Sequence, residues 1–372
     1  DDAGLHLRFA PLSLTRPISE IRVGIMTNTE RLKLLVPSAT IFYKSESYLQ
    51  TKFPEGTAHD WIINGSVIPN RKLIERIESL GHHEVLSHNG KWLAKKSNSA
   101  HTLVEYSDNV IHLNQVWEIF QKNGDILAQD FDLLTEGKMS GVLPDSNTLI
   151  GHPSLLFIEP GAKIEAATLN TSTGPIYIGK NAEIMEGALV RGPFSLGEHA
   201  TVKMGAKIYG PTSIGLHSKV GGELSNVVIQ GYSNKGHDGF VGNSVIGEWC
   251  NLGADTNSSN LKNNYGLIKA YSYEKKEMIP TGLQFMGVVM GDHSKTGINT
   301  MLNTATIIGI SSNIFGGDFP EKHIPSFSWG ASTGFVPFEL LKAIDAAKAM
   351  MGRRKVEFTE GDQKIFEYLS PE

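Results

Sequence analysis

The chain has 372 residues, a formal charge of −5, 40% hydrophobic and 20% charged residues. That length allows two domains or one large one with a full core, and the acidic balance gives no sign of nucleic-acid or anionic-membrane binding. A lone cysteine, Cys250, excludes an internal disulfide and suits a reducing compartment. With no apolar run of about 18 residues and no charged-then-apolar start, the sequence predicts a cytoplasmic chain without membrane span or signal peptide.

Residues 1–150 read as an α/β domain. DWIING (60–65) and HHEVLSH (82–88) have the look of short buried strands, and NRKLIERIESLG and QVWEIFQKNGDILAQDFDLL of helices, so strands alternate with helices. The stretch LRFAPLSLTRPISEIRVG (7–24) resembles the opening loop of sugar-phosphate nucleotidyltransferases, where a Gly-rich turn, an arginine, PLT and RPK cradle a nucleoside triphosphate. Arg8, Pro11, Leu12, Arg16 and Pro17 fall where that pattern expects them, which implies that Arg8 and Arg16 contact UTP or another nucleoside triphosphate. The departures are specific: the glycine run is thinned to Gly4, the lysine after Arg-Pro is Ile18, and Ser66 stands at the metal-binding aspartate. Phosphoryl transfer is mainly charge neutralisation and positioning. Activity here would therefore need Mg²⁺ held by other carboxylates, Asp2 and Asp60, with Arg16 gripping phosphate.

From Ile178 a period of six takes over. Ile178, Ile184, Val190, Leu196, Val202, Ile208, Ile214 and Val220 share one register, and most are followed four positions on by a small residue such as Ala182, Ala188 or Ala200. Neither helix nor plain strand has this period. Each hexad is a short strand and a turn, and three of them close a triangular coil whose branched aliphatics stack on those of the next coil, about 4.8 Å away. The predicted fold over 151–330 is a left-handed parallel β-helix. Val228, Phe240, Ile246 and Leu252 form a second block of inward positions, and Met290, Leu302, Ile308 and Ile314 a third, with Ile158 and Ile164 in an earlier coil. Residues at about 257–282, off-register and rich in lysine and tyrosine, read as an inserted arm.

SNKGHDGF (233–240) sits where the register is interrupted, with His237 flanked by glycines. The longer segment KGHDGFVGNSVIGEWCNLGAD resembles the acetyltransferase signature of the bifunctional enzymes that make UDP-N-acetylglucosamine. Those enzymes acetylate glucosamine 1-phosphate in a β-helix and uridylylate the product in an N-terminal domain. The nearer resemblance is to a bacterial subgroup in which that N-terminal domain is shortened. It implies that His237 is the catalytic base, that Asn251 and Asn260 contact the sugar, and that Lys295, Ile298 and Asn299 in MGDHSKTGINTML lie along acetyl-CoA. Phe240 replaces the family's tyrosine, and Ser225 or Asn226 its cationic residue. The sugar phosphate needs a cation, for which Lys235, Lys262 and Lys269 are candidates.

The residue types suit the chemistry. An aminosugar's ammonium must lose a proton before it attacks a thioester, and a histidine with reference pKa about 6.5 can accept it. A nearby N–H would stabilise the oxyanion, and alignment of two bound substrates supplies much of the rest. His199, His217 and His293 share the corner phase of His237, and His199 with His217 lacks the third ligand of a zinc site, so no metal site is read. Cys250 occupies a small-residue slot as a packed thiol, which favours direct transfer.

Beyond SFSWG, PFELLKAIDAAKAMM places Leu340, Leu341, Ile344, Ala347 and Met351 on one helical stripe that stops at Gly352, so 331–372 reads as a helical cap and tail. The cluster RRK (353–355) has two readings, contact with the CoA phosphates or complementing the helix C-terminus, and the second is the expected one. The expected activity is CoA-dependent N-acetylation of an aminosugar phosphate, glucosamine 1-phosphate, for UDP-N-acetylglucosamine and cell-envelope precursor synthesis. The resemblance implies a homotrimer with active sites between subunits. Two other readings stay open: a sugar-1-phosphate uridylyl- or thymidylyltransferase on a structural β-helix, and a non-catalytic sugar-nucleotide-binding regulatory subunit, which Ile18 and Ser66 favour.

Overall fold

The computed structural model describes residues 1–57, 60–96 and 100–370. The last two residues of the predicted tail, 371–372, lie outside the described residues. The expected architecture is present: an α/β region, a left-handed parallel β-helix and C-terminal helices.

In the α/β region, α1 (Asn28–Leu35) starts at Thr27, whose side chain accepts from the Glu30 N–H while the Glu30 carboxylate accepts from the Thr27 N–H. A four-stranded sheet follows, in the order β1 (Ile62–Ile63), β3 (Lys91–Lys95), β2 (Glu84–His88), β4 (Thr102–Glu105). The β2–β3 hairpin turns through Asn89–Gly90, both at positive φ, as a tight two-residue turn requires. Helix α2 (Arg71–Glu78), capped by Asn70, buries Leu73, Ile74 and Ile77 against this sheet. Helix α3 (Glu118–Thr135) packs against the β-helix instead.

The β-helix has three faces. The first carries the two-residue strands from Lys163–Ile164 through Lys219–Val220, Asn234–Lys235 and Asn251–Leu252 to Asn313–Ile314. The second runs from Thr148–Ile150 through Leu189–Arg191 and Lys207–Tyr209 to Met301–Leu302, and the third from Leu156–Ile158 to His323–Ile324. All these coil-to-coil pairings are parallel, and the inward line of Ile184, Val202, Val220, Leu252 and Ile314 forms one continuous core. The coils begin before residue 151, since Thr148–Ile150 already pairs with Thr168–Asn170.

Two predicted inward residues point elsewhere. Lys219 pairs with Asn234 and Asn234 with Asn251, so these coils advance by 15 and 17 positions rather than 18. The hexad count slips accordingly. Val241, not Phe240, pairs with interior Leu224, and Val227 and Ile229 fill the core while Val228 faces out. Val228, Val245, Val289 and Ile307 are apolar on the outside of the third face because Phe9, Leu12, Ile18, Ile21 and the α3 residues Ile119 and Phe120 cover them. The arm leaves the coils later than expected, since Asn257–Ser258 still pairs with Met301–Leu302. It forms a hairpin (Lys269–Ser272 with Glu277–Pro280) whose Ile268 and Ala270 join the same apolar cluster.

At the C-terminal end an antiparallel hairpin (Ser328–Ala331 with Gly334–Pro337) finishes the first face. Two helices follow rather than one: α4 (Leu340–Gly352) and α5 (Glu360–Leu369). They pack beside the coils, with Ala343, Ile344, Ala347 and Phe366 on Ile310, Phe327, Ala10 and Leu14. Leu341, expected on the buried stripe, is 75% exposed because α4 turns only its Ala343–Ile344–Ala347–Met351 side inward.

One ionic junction joins the N-terminal region to the coils. Arg16 is buried, with Nη1 3.0 Å from a Glu248 carboxylate oxygen and Nη2 on Asp292, which also accepts from Thr15 Oγ1 at 2.7 Å. Burial opposes the guanidinium charge, but Asp292 and then Glu248 outweigh it and push the Arg16 pKa up. Removing one member would leave buried carboxylates without their cation. Arg16→Ala is expected to lower unfolding free energy by about 3–5 kcal/mol, read as a shift of the denaturant midpoint at unchanged slope.

Candidate functional site

The strand Asn234–Lys235 ends at the edge between the first and second faces, and residues 236–239 turn that edge. Because this coil is short, Lys235 falls in the inward line, paired with Val220, where its neighbours are aliphatic. It is 1% exposed, and its ammonium donates to the carbonyls of Gly221 (3.3 Å), Asp238 (3.0 Å) and His237. Burial pushes its pKa down to about 8, with Asp238 and Asp255 pulling upward. Beneath the turn lies Gly222 at φ +69°, where a Cβ would come within 2.8 Å of the His237 carbonyl oxygen. Only glycine admits that approach. The turn is thus held from inside by a cation and from below by a glycine, and the exposed His237 imidazole makes no hydrogen bond among the described residues.

The same edge carries Ile298 and Asn299. Asp255 N–H donates to the Asp238 carbonyl at 3.1 Å and Asn299 N–H to the Ala254 carbonyl at 2.8 Å, so Asn299 stands two coils above the His237 turn, about 10 Å along the edge. Ile298 is 69% exposed. On the adjoining first face, Asn251 Oδ1 accepts from Asn234 Nδ2 at 2.9 Å. Lys295 is half-buried, its Nζ on the His293 carbonyl at 3.0 Å, and burial lowers its pKa. His237, Asn251, Ile298 and Asn299 are therefore brought to one edge and its neighbouring face.

Other predicted residues go elsewhere. Lys235 is not a solvent-facing cation for a sugar phosphate, since its donors are taken by backbone. Asn260 lies at the opposite side of the second face, donating to Asn243 Oδ1 at 2.8 Å, and Lys262 donates to the Leu267 carbonyl at the base of the arm. Lys269 is exposed on the arm hairpin. Arg8 Nε meets both carboxylate oxygens of Glu274 at 3.1 Å, and Arg16 is fixed in the junction described above, so neither points at an open nucleotide site. Asp2 is turned inward, accepting from the Ile18 N–H at 2.9 Å and paired with His6, while Ser66 is buried against Asn64 and His112. Asp60 lines a cleft of about 730 Å³ with Trp61, Asn64 and Lys44. Among the described residues no three His, Cys, Asp or Glu side chains gather as a metal site.

His199, His217 and His293 lie on a different edge, between the third and first faces. There the rings of His199, His217, Tyr232, Trp249 and His293 stack in one column, with centroids 4.8, 5.2, 4.1 and 6.2 Å apart in that order. Burial pushes His293 down to about 3. Sequence reasoning missed Tyr232 and Trp249; their 17-residue spacing, which repeats that of Asn234 and Asn251, was the available signal. Cys250 is buried with Sγ on the Gly291 carbonyl at 3.2 Å, and burial pushes its pKa up, as for a packing thiol.

Known proteins match parts of this chain. The family described as "Sugar nucleotidyl transferase" matches residues 1–139. The protein described as "Uncharacterized acetyltransferase YaiX" of Escherichia coli is 32% identical over 160 residues, covering 42% of this chain and 69% of that protein. The chain belongs to that acetyltransferase family. A second member of this set of relatives, the bifunctional sugar-1-phosphate nucleotidylyltransferase/acetyltransferase of Sulfurisphaera tokodaii, is 33% identical over 153 residues, 41% of this chain; the chain spans only 38% of its length. The solved structure of the polysialic-acid-specific acetyltransferase NeuO aligns over 52% of this chain and 87% of its own, at 15% identity and a TM-score of 0.29. Among the described residues no helix is long and apolar enough to cross a membrane.

Lys235 gives this family member a measurable pH signature. Its folded pKa of about 8 lies below the ordinary lysine value of 10.5, so unfolding takes up a proton between those values and stability rises with pH across that window. Denaturant titrations from about pH 7 to about pH 10 are expected to show this rise in the parent and its loss in Lys235→Met.

Proposed function

We propose that the protein is a CoA-dependent N-acetyltransferase acting on an aminosugar phosphate, with glucosamine 1-phosphate as the first candidate and UDP-N-acetylglucosamine precursor synthesis as its setting. The observation that carries this reading is the exposed, unpartnered His237 imidazole on a turn fixed by Lys235 and Gly222, on the edge that also presents Ile298 and Asn299. In this reading acetyl-CoA runs along that edge, and the pantetheine sulfur and the sugar amine meet beside His237. The imidazole takes the ammonium proton, the amine attacks the thioester carbonyl, and the CoA thiolate leaves and takes up a proton. No acyl-enzyme is involved, in keeping with the buried Cys250.

A single β-helix gives His237 only one wall. Leu189, Met204, Tyr209 and Ile298, on the second face and the His237 edge, are exposed apolar residues. They support a second wall supplied by another copy of the chain, and so the homotrimer. In such an assembly an acidic residue at Leu189 would face an apolar neighbour, and Leu189→Asp is expected to lower the oligomeric mass measured by light scattering.

Nucleotidyl transfer by residues 1–139 is the second reading, favoured by the family match and the 730 Å³ cleft. The engagement of Arg8 with Glu274 and of Arg16 with Glu248 and Asp292 supports instead a binding or buttressing role.

The deciding assay follows thiol release from acetyl-CoA with glucosamine 1-phosphate. His237→Ala is expected to lower kcat by about 100-fold or more while leaving both KM values within a few-fold. Turnover unaltered by the substitution would remove the imidazole from the chemistry, and UTP-dependent pyrophosphate release would revive the second reading.

A further inference from the structure

On the first face, a pocket of about 300 Å³ lies between the coils and the end of α4. Three cations line it: Lys219 from the coil below Asn234, and Arg353 and Arg354 just past the helix. None forms an ion pair or side-chain hydrogen bond among the described residues. Burial, then Arg354, Lys203 and Arg353, lowers the Lys219 pKa, and Glu183 is the opposing carboxylate. Arg353 and Arg354 are exposed and Lys219 is half-buried, and an anion between them would offset their mutual repulsion. The helix end is closed by the backbone N–H groups of Arg354 to Met351 and Lys355 to Gly352, which leaves both arginine side chains without a hydrogen-bond partner among the described residues.

The pocket wall is not only cationic. Tyr232 and Trp249, stacked at 4.1 Å with planes 11° apart, form its side, and the indole N–H has no partner among the described residues. Asn234 and Asn251 continue the lining toward the strand that leads into the His237 turn. A volume of this size suits a small ligand, and aromatic side walls beside cations and carboxamides suit a ring that carries phosphate. Ser225 and Asn226 stand where the resemblance expects a cation, and three cations line this pocket on the first face.

We infer that this pocket binds a phosphate monoester attached to a ring, with Lys219, Arg353 and Arg354 on the phosphate and Tyr232 and Trp249 beside the ring. The inference rests on the acyl-transfer reading for its ligand, since both proposed substrates carry such a group: the sugar phosphate, and the phosphorylated adenosine of CoA. The shared chemistry is the monoester dianion on a ring.

Calorimetry on the full chain tests it with three probes: glucosamine 1-phosphate, adenosine 3′,5′-bisphosphate and inorganic phosphate. At least one organic probe is expected to bind more tightly than inorganic phosphate and to weaken about 10- to 100-fold in the Arg353→Ala/Arg354→Ala double variant. Lys219→Gln, on a different element, should weaken the same probe. The probe that responds names the source. Failure of all three to bind at millimolar concentration, affinity equal to that of inorganic phosphate, or unchanged binding in both variants would overturn the inference. Thiol release separates the two proposals. Transfer that needs His237 but keeps both KM values in the double variant would sink the pocket alone. Probe binding lost in that variant of a chain that releases no thiol would sink acyl transfer alone.

Discussion

Parallel coils can stack only if each strand's N–H and C=O groups meet those of the next coil, which locks inward side chains into vertical lines. Everything at the His237 edge follows from that constraint. Where the chain advances by 15 residues between Lys219 and Asn234, the line does not bend to keep an aliphatic inside; it takes whatever residue arrives. That residue is Lys235, and its ammonium donates to two carbonyls of the turn itself, His237 and Asp238, and to Gly221 of the coil below. A fault in the hexad count thus becomes the fixing of the His237 turn. The glycine below removes the last obstacle to a tight descent of the backbone.

The third face shows the same logic applied to a surface. Apolar residues there, Val228, Val245, Val289 and Ile307, would be a liability in water, and the N-terminal region with its α3 helix removes them from it. The arginine of the nucleotidyltransferase-like loop is drawn into this seam. Arg16 lies between Glu248 and Asp292, in coils adjacent to the proposed base, so the element that resembles a phosphate grip acts here as a bolt between two halves of one molecule. Ile18 fits this role better than a lysine would, since it is buried in the same cluster.

The three prism edges have separated duties. One presents His237, Ile298 and Asn299 to solvent. Another holds the ring column from His199 to His293 and abuts the C-terminal helices. The third is where Asn243 and Asn260 join and the arm departs. The shared hexad phase read from the sequence does not survive the slip: with Lys235 inside, His237 stands two positions past the inward residue, whereas His293 stands three past Met290. His293 is buried and held neutral on one edge, and His237 is open on another.

The hexads from Ile178 to Val220, the stripe on α4 and the glycine-flanked His237 are local patterns, and the sequence alone determined the coiled architecture and the candidate imidazole from them. Local patterns suffice there because six-residue spacing sets each strand and turn without reference to distant parts. Tertiary structure decided which residues fill the interior once the spacing shifted, so Lys235 and Val241 are inside and Phe240 and Val228 are not. It also decided that Arg8 and Arg16 answer carboxylates from Glu274, Glu248 and Asp292, hundreds of positions away, and that Arg353 and Arg354 return to Lys219. Charge pairing acts through space while periodicity acts along the chain, and only the folded chain joins the two.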